Sequence, residues 1–388
     1  MPADYREAMV KLAARGAYST GALRVLQSFS EHCEIPRSTT GRITGLKRVT
    51  HTKGVIICYH RVGSGGVPFY SNLDPRIFEA QIRFLRKAYR IVSLDDLCRE
   101  LDSGGPPTQA VAITFDDGYR DVYRNAFPVL RRYGVPATVY LTVSAIETGE
   151  VSWYDRIFAI VMKCRADTLE FDGDPLRRFT LSSKEARLKA ATEIVTTLRR
   201  YPNRARIASS AALEKKADLA DAELTDRMLS WAQIEEMQKS GISFGVHTMN
   251  HPVVGRLAPS ERRHELLESK QMVENRLQKP AVHFAFPFGS PSDIDPESCS
   301  LMPQYGYRSA ASTVWGVNTH NTHRYLLRRM GGEEPSLSLF ALRLRWLFLN
   351  QQPAPEGLQS LERAVESRAI NPEGIGCEPG CGAEVKHA

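Results

Sequence analysis

Apolar segments with strand character alternate with helix-patterned segments between residues 51 and 335, and this alternation limits the fold more than any other feature of the sequence. GVIICYHRV from Gly54 and AVAITFDDGY from Ala110 are predicted to be buried strands that run into polar residues, and VPATVYLTV from Val135 a third strand. Residues 75–89 lie between the first two and repeat apolar side chains at helical spacing. This order predicts an α/β fold with a parallel sheet and helices outside it.

The alternation also divides the chain into parts. It stops over residues 150–230, a charged stretch with helical patterning, and resumes with ISFGVHTMNH and AVHFAFPFG. We therefore expect one catalytic domain over residues 51–335 with a helical insertion at 150–230. Residues 1–50 are predicted as an N-terminal helical segment, residues 336–350 as an amphipathic helix, and the Pro/Gly/Glu-rich residues 351–388 as a disordered tail.

Composition excludes several classes of protein. Hydrophobic residues make up 42% and charged residues 24%, as in ordinary globular chains. The net charge is +7, but 44 acidic residues are mixed among 51 basic ones, so no nucleic-acid partner is expected. Seven scattered cysteines do not resemble a disulfide framework. A signal-peptide pattern and an apolar run of about 18 residues are both absent from the sequence, so a cytoplasmic location is the default expectation.

The segment Leu337–Leu349 combines Leu, Phe and Trp with Arg343 and Arg345. Such a segment either makes a peripheral contact with a membrane surface or packs on the catalytic domain as a helix. We favour packing on the domain.

Polar side chains follow two of the predicted strands, where parallel sheets build their sites. Asp116 and Asp117 stand at the end of a strand, and a bend at Gly118 would let both carboxylates reach one cavity. The alternative is a solvated Asp-Gly turn. His247 and His251 follow another strand, and two imidazoles at this spacing suit a small divalent cation such as zinc.

A third segment, Phe284–Gly289, leads from a strand into Pro-Phe-Gly and by itself indicates only a tight turn with an aromatic wall. Together, Thr-Phe-Asp-Asp-Gly, His-Thr-x-x-His and this Phe-x-x-Pro-aromatic-Gly element resemble the first three motifs of the NodB-type polysaccharide deacetylases, carbohydrate esterase family 4. The motifs occur in the family's order, and the resemblance covers about residues 54–335.

The resemblance implies a distorted (β/α)-barrel of about seven strands, of the glycoside hydrolase/deacetylase type. It implies a metal-dependent hydrolase that removes N-acetyl, or alternatively O-acetyl, groups from an acetylated glycan such as a polysaccharide or chito-oligosaccharide. A catalytically silent glycan-binding protein on the same scaffold and a hydrolase of small cyclic amides are the alternatives.

The resemblance also assigns roles. It implies that Asp117, His247 and His251 bind a divalent metal, with Zn²⁺ favoured over Co²⁺, Ni²⁺ or Mn²⁺, and that Asp116 is the general base. A backbone N–H beside Pro287, taken as that of Phe288, would help to hold the oxyanion.

The general acid departs from the common pattern, in which a late Leu-His-Asp element supplies a histidine. The Tyr-His-Arg-Val element at residues 59–62 is similar to the opening of the circularly permuted, exopolysaccharide-linked members. The first and last strands of a closed barrel are neighbours, so His60 is predicted as the acid. His320 and His323 are the alternatives.

Two further assignments stay open. Ala285 replaces an arginine that many members place near the base, and Arg328 or Arg329 could supply that charge instead. Trp153, Tyr154 and Asp155 open the insertion, either as a wall for the sugar or as a core anchor.

Overall fold

The computed structural model describes residues 51–63, 72–105, 108–171, 177–216, 227–350 and 353–370. These residues contain ten named strands: β1 (Lys53–Tyr59), β2 (Arg90–Ile91), β3 (Gln109–Phe115), β4 (Thr138–Leu141), β5 (Thr168–Phe171), β6 (Arg177–Thr180), β7 (Ser243–Val246), β8 (His283–Ala285), β9 (Ser309–Trp315) and β10 (Leu327–Gly331). The N-terminal segment 1–50 and residues 371–388 lie outside the described part, as do the predictions made for them.

Seven of the strands form a closed parallel barrel in the order β1, β3, β4, β7, β8, β9, β10. Closure occurs at β1, which pairs in parallel with β10 on one side and with β3 on the other. Strand β1 is buried from Gly54 to Tyr59, as expected for an apolar strand covered on both faces. The structure therefore confirms the distorted (β/α)-barrel of about seven strands. All carboxyl ends of these strands meet at one end of the barrel.

Helices cover the outside of the barrel and form most of the insertion. In chain order they are α1 (Pro75–Ala88), α2 (Leu94–Ser103), α3 (Phe127–Tyr133), α4 (Val143–Thr148), α5 (Trp153–Lys163), α6 (Lys184–Leu198), α7 (Asn203–Lys216), α8 (Trp231–Lys239), α9 (Pro259–Arg262), α10 (Ser269–Leu277), α11 (Pro296–Gln304), α12 (Leu337–Leu349) and α13 (Glu356–Ile370). π-Helical turns at Val122–Ala126 and Arg263–Glu268 lead into α3 and α10.

Local sequence explains where these helices begin. Ser93 caps α2 by accepting a hydrogen bond from the Asp96 N–H, as the sequence predicts. The strand predicted from Val135 ends at Leu141, and Val143 already belongs to α4. Between them, the Thr142 N–H lies 3.5 Å from the carbonyl of Asp117 in the turn after β3.

The insertion between β4 and β7 contains α5, α6, α7 and an antiparallel hairpin of β5 and β6. The sequence predicts helices here and misses the hairpin. The insertion has a hydrophobic core of its own, which includes Tyr154, Phe158, Phe171, Ile194 and Leu198.

Helix α12 buries Phe340, Leu344, Leu347 and Phe348, and it packs against α1 and β1. Its residues thus pack on the domain as favoured from the sequence. Among the described residues, none of the helices has the length and apolar character that crossing a bilayer requires. Cys58, Cys98, Cys164 and Cys299 are free thiols.

The prediction of a disordered tail is wrong for residues 356–370, which form α13. Leu358, Leu361 and Val365 recur at helical spacing and are buried, and the helix packs against α11. The Pro/Gly/Glu-rich composition hides this short amphipathic pattern.

Candidate active site

The two carboxylates after β3 face different partners in one cavity. Asp116 and Asp117 are both buried. Asp117 has φ 72° and Gly118 has φ 83°, so the chain leaves the strand through a left-handed turn. This turn changes the direction of the second carboxylate, and the two adjacent side chains can therefore enter the same cavity.

Asp117 lies against both imidazoles of the His-Thr-x-x-His segment. Its Oδ1 is 3.4 Å from Nε2 of His247 and 3.3 Å from Nε2 of His251. All three side chains are buried, and the ligand atoms lie within 4.8 Å of one another. Neither oxygen of Asp117 has a hydrogen-bond partner among the described residues. A buried carboxylate without hydrogen bonds is costly unless a cation binds it, so this set of donors fits a divalent metal.

His247 is held in the form that a metal ligand needs. Its Nδ1–H donates to the carbonyl of Ala285 at 2.7 Å, which leaves Nε2 turned toward Asp117. Burial lowers the pKa of His247 to about 4, so the ring is neutral at neutral pH. A neutral imidazole with a hydrogen bond at its other nitrogen is the usual arrangement of a ligating histidine.

The loop from Thr248 to His251 is held in place by hydrogen bonds to Glu265. The Glu265 carboxylate, itself buried, accepts hydrogen bonds from the N–H groups of Met249 and Asn250, both at 2.9 Å. Thr248 and His251 have φ of 67° and 52°. Glu265 therefore stabilises a loop whose backbone is strained at two residues. Sequence reasoning missed this residue.

Asp116 pairs with Arg329 on β10. The two terminal nitrogens of Arg329 donate to the two Asp116 oxygens at 2.7 and 2.8 Å, and the Arg329 Nε–H donates to the Ser312 carbonyl at 2.8 Å. Burial alone would raise the pKa of Asp116, but the charge and the hydrogen bonds of Arg329 lower it well below its usual range. Asp116 therefore stays ionised.

Arg328 lies on the other face of β10. Its side chain packs over Gly316, and its charge faces Glu362 on α13. Of the two arginines that the sequence offers, the structure places Arg329, and not Arg328, against Asp116.

His60 lies at the end of β1, with its Nε2 3.9 Å from Asp116 Oδ2. Its Nδ1–H and its backbone N–H both donate to Oε1 of Glu333, at 2.8 and 2.6 Å. Burial opposes protonation, but Glu333, together with Asp116 and Asp117, raises the pKa of His60 to about 9. The imidazole is therefore protonated at neutral pH.

Glu333 was missed from the sequence, although it follows β10 by two residues, as the other polar site residues follow their strands. Its position is fixed by Gln81, a fully buried residue of α1. The Gln81 side-chain amide donates to the carbonyls of Gly332 and Glu334, at 3.1 and 2.9 Å. The loop that carries Glu333 is thus hydrogen-bonded to helix α1 at the residue before Glu333 and at the residue after it.

The alternative acids lie elsewhere. The His320 ring packs on His51, which precedes β1, with ring centroids 4.4 Å apart. His323 lies in the same β9–β10 connection and accepts a hydrogen bond from the Tyr325 N–H. This connection reaches the amino-terminal end of the barrel, since Asn318 pairs with Gly54. The structure therefore separates both residues from the carboxylates.

Pro287 and Phe288 follow β8 and form the aromatic side of the cavity. Phe288 has φ 60°, and its ring centroid is 5.0 Å from that of His251. Its carbonyl accepts a hydrogen bond from the Thr313 hydroxyl at 2.6 Å. The segment is thus held beside the Asp117–His247–His251 set.

The three residues that open the insertion serve as an anchor in the structure. Tyr154 and Asp155 are buried, and the Tyr119 hydroxyl donates to Asp155 at 2.6 Å. Trp153 is partly buried, and its indole N–H donates to the carbonyl of His251 at 2.9 Å. These contacts attach α5 to the loop that carries His251.

Cys58, His60 and Asp116 form a second group whose possible ligand atoms lie within 4.8 Å of one another. Both oxygens of Asp116 already accept hydrogen bonds from Arg329, and burial raises the pKa of the Cys58 thiol well above its usual range. The set of Asp117, His247 and His251 is therefore the better candidate for a metal.

Comparison with known proteins identifies the family of the chain. The family model described as polysaccharide deacetylase matches residues 103–310, more than half of the 388-residue chain. The chain belongs to the polysaccharide deacetylase family. The family acts by deacetylating polysaccharides, so this member is a hydrolase of that class. The matched region includes Asp116, Asp117, His247 and His251, but it ends before Arg329 and Glu333 and begins after His60.

Individual relatives of this deacetylase are distant. YxkH of Bacillus subtilis strain 168, which is named for the same family, is 21% identical over 277 residues, or 71% of this chain and 70% of YxkH. The poly-beta-1,6-N-acetyl-D-glucosamine N-deacetylase of Staphylococcus epidermidis is 37% identical over 86 residues, which cover 22% of this chain and 29% of that protein.

Among solved structures, the Streptococcus pyogenes deacetylase PplD in complex with acetate aligns with 78% of this chain and with all of its own chain. The TM-score is 0.52 at 19% sequence identity. At this identity the likeness establishes a shared fold.

Proposed function

We propose that this chain removes N-acetyl groups from a polysaccharide with the help of a divalent metal, for which Zn²⁺ is the first candidate. One observation carries the proposal: the Asp116 carboxylate and the His60 imidazole lie 3.9 Å apart beside a buried set of three metal donors, and each is held by a charged partner. A catalytically silent glycan-binding protein would need neither of the two charged pairs that hold these groups.

Asp117, His247 and His251 would hold the metal. The absence of any other partner for the Asp117 oxygens among the described residues and the neutral form of His247 support this assignment. A bound divalent cation supplies Lewis acidity, which polarises a carbonyl oxygen and lowers the pKa of water from 15.7 to about 7.

Asp116 would act as the general base, because it is ionised and its carboxylate lies in the same cavity as the metal donors. Arg329 holds the carboxylate in a fixed orientation by two hydrogen bonds. A base must be aligned with the water that it deprotonates, and the bidentate pair provides that alignment. Arg329 in this way takes the place of the arginine that Ala285 replaces.

His60 would act as the general acid and donate its Nε2 proton to the leaving nitrogen. Glu333 accepts at Nδ1, so it both orients the ring and keeps it protonated. When an amide is hydrolysed, the sugar nitrogen leaves poorly unless it gains a proton. The alkoxide that leaves from an ester depends less on an acid. A strongly protonated His60 therefore favours an N-acetyl over an O-acetyl substrate.

The backbone N–H of Phe288 is proposed to help hold the developing oxyanion. Its carbonyl is fixed by Thr313, and its ring lies against His251. The staphylococcal relatives named for poly-beta-1,6-N-acetyl-D-glucosamine support an N-acetylated glucosamine polymer as the first substrate to test.

The experiment is acetate release from a panel of glycans. Chito-oligosaccharides and poly-β-1,6-N-acetylglucosamine test the N-acetyl activity, and acetyl-xylan tests the O-acetyl activity. Each substrate is assayed as purified, after chelation, and after addition of Zn²⁺, Co²⁺, Ni²⁺ or Mn²⁺. We expect release from an N-acetylated glycan that chelation abolishes and one of the metals restores. Release that survives complete metal removal would contradict the metal-dependent mechanism.

A further inference from the structure

The two proposed histidine ligands are oriented in different ways. His247 donates its Nδ1–H to the Ala285 carbonyl, whereas the buried Nδ1 of His251 has no hydrogen-bond partner among the described residues. A ligating histidine usually donates its second N–H to an acceptor that fixes the ring. The orientation of His251 must therefore come from another source.

Helix α5 of the insertion contacts His251 through two residues, Tyr154 and Trp153. The Tyr154 ring packs on the His251 ring, with centroids 4.7 Å apart, and Phe288 packs on it at 5.0 Å. Trp153 donates its indole N–H to the His251 carbonyl at 2.9 Å. The ring is thus held by packing. The backbone of the same residue is held at its carbonyl by Trp153 and at its N–H by the Thr248 hydroxyl, at 2.9 Å.

Trp153 is itself fixed within the insertion and to the barrel. The guanidinium of Arg206, a buried residue of α7, lies 4.7 Å from the centre of the indole ring. Arg206 donates to the Asn203 side chain at 2.7 Å, and Asn203 donates to Glu261 of α9 at 2.9 Å. This chain of contacts joins the insertion to the helix that follows the metal loop.

The backbone at His251 needs such support. With φ at 52°, His251 adopts a left-handed conformation that is unfavourable for a non-glycine residue and persists only where neighbours enforce it. The hydrogen bond from Trp153 is made to the carbonyl of this same residue. Its loss would therefore act directly on the ligand and not only on the fold.

We propose that Trp153 is a positioning residue for His251, so that the insertion completes the metal site and does not merely cover it. The inference rests on the proposed function, because it takes His251 to be a metal ligand. It assigns to α5 the orienting role that the Ala285 carbonyl has for His247.

The test compares Trp153→Phe with Trp231→Phe. Trp231 is a matched control, because its indole N–H also donates to an oxygen, that of Glu147 at 3.0 Å, and Arg276 also lies over its ring, at 5.5 Å. The affinity for Co²⁺ and for Zn²⁺ is measured by competition with a chelator, the Co²⁺ site is examined by its visible absorption spectrum, and each metal-free protein is melted.

We expect Trp153→Phe to weaken metal binding about tenfold or more and to change the Co²⁺ spectrum, while its metal-free form melts near the wild-type temperature. Trp231→Phe should leave affinity and spectrum unchanged. Wild-type affinity and spectrum in Trp153→Phe would overturn the inference, as would an equal loss in Trp231→Phe. A wild-type protein that binds no divalent metal would instead remove the proposed function.

If Trp153→Phe does not fold, Arg206→Met provides the second test, since it removes the cation over the indole and keeps an apolar stem. It should weaken metal binding in the same direction by a smaller factor. Unchanged binding in a folded Arg206→Met protein would then count against the inference.

Discussion

Arg329 on the last strand of the barrel binds Asp116 at the end of the second strand in the ring through two parallel hydrogen bonds of 2.7 and 2.8 Å. Both side chains are buried, so each charge depends on the other. The pair matters both for stability and for the proposed chemistry, because the same guanidinium neutralises the buried carboxylate and fixes the orientation of that carboxylate.

Replacing Arg329 by Met should therefore lower both stability and activity. Removing one partner of a buried ion pair leaves an uncompensated charge and costs about 3–5 kcal/mol. We expect a lower melting temperature and a large loss of kcat. Arg328→Met is the control, since Arg328 points to the other face of the same strand. Equal effects of the two substitutions on kcat would contradict the role given to Arg329.

Glu333→Gln should move the alkaline limb of the pH–rate profile to lower pH. Glu333 raises the pKa of His60 to about 9, and without its charge the pKa should fall toward the usual value of about 6.5. A general acid works only while protonated. As the pH rises, the variant should therefore lose activity at a lower pH than the wild type does. The measurement is kcat against pH.

Glu334→Gln is the matched control for that profile, because Glu334 pairs with Arg343 at 2.9 Å. Its alkaline limb should stay at the wild-type position. The same shift in pKa predicts that the His60–Glu333 pair contributes stability that is fully present below about pH 6.5 and is lost as the pH rises through about 9. An unmoved limb in Glu333→Gln would argue against His60 as the acid.

Asp116→Asn should abolish turnover and leave metal binding intact. The amide is nearly the same size as the carboxylate, but it cannot accept the proton, and the loss of a general base costs about 10²–10⁴-fold in kcat. Bound metal is measured by elemental analysis beside kcat. Activity near that of the wild type would remove Asp116 as the base.

His251→Ala should lower the amount of bound metal. A missing ligand should cost more than the roughly 10–100-fold typical of removing a hydrogen-bond partner of a ligand. His264→Ala is the control, because His264 is an exposed residue paired with Glu268 on the same stretch of helix. An unchanged metal stoichiometry in His251→Ala would refute its assignment as a ligand.

The core of the site could be predicted from the sequence because its residues follow apolar runs directly. Asp116 and Asp117 end one such run, and His247 ends another. Parallel strands bring these ends together, so the local pattern is enough to place the residues at one end of a sheet. The parallel sheet was predictable for the same reason, since the strands are buried on both faces and lack polar alternation, whereas its closure into a barrel was implied by the family resemblance.

The partners of these residues were harder to predict. Neighbouring residues on a strand face opposite sides, so only the register of β10 decides between Arg328 and Arg329. Glu333 follows two glycines in the sequence, and such a pair indicates a turn. Register and loop path arise from contacts between distant strands, and a single sequence does not contain them.

The misassigned elements have few apolar residues among polar ones. Strand β5 alternates exposed and buried residues, from Thr168 to Phe171, but four residues are too few to stand out in a charged region. The three buried apolar residues of α13 are likewise spread through a polar segment.

Closure of the barrel through β1 and β10 brings proposed site residues from the first and the last barrel strand to the metal donors, which lie between them in sequence. A protein trimmed to residues 103–310, the extent of the family match, would keep every proposed metal donor. It would lose β1, β10 and most of β9, and with them His60, Arg329 and Glu333. Such a fragment would be an open sheet without the proposed proton donor, so the flanking segments are as necessary to the proposed mechanism as the family motifs.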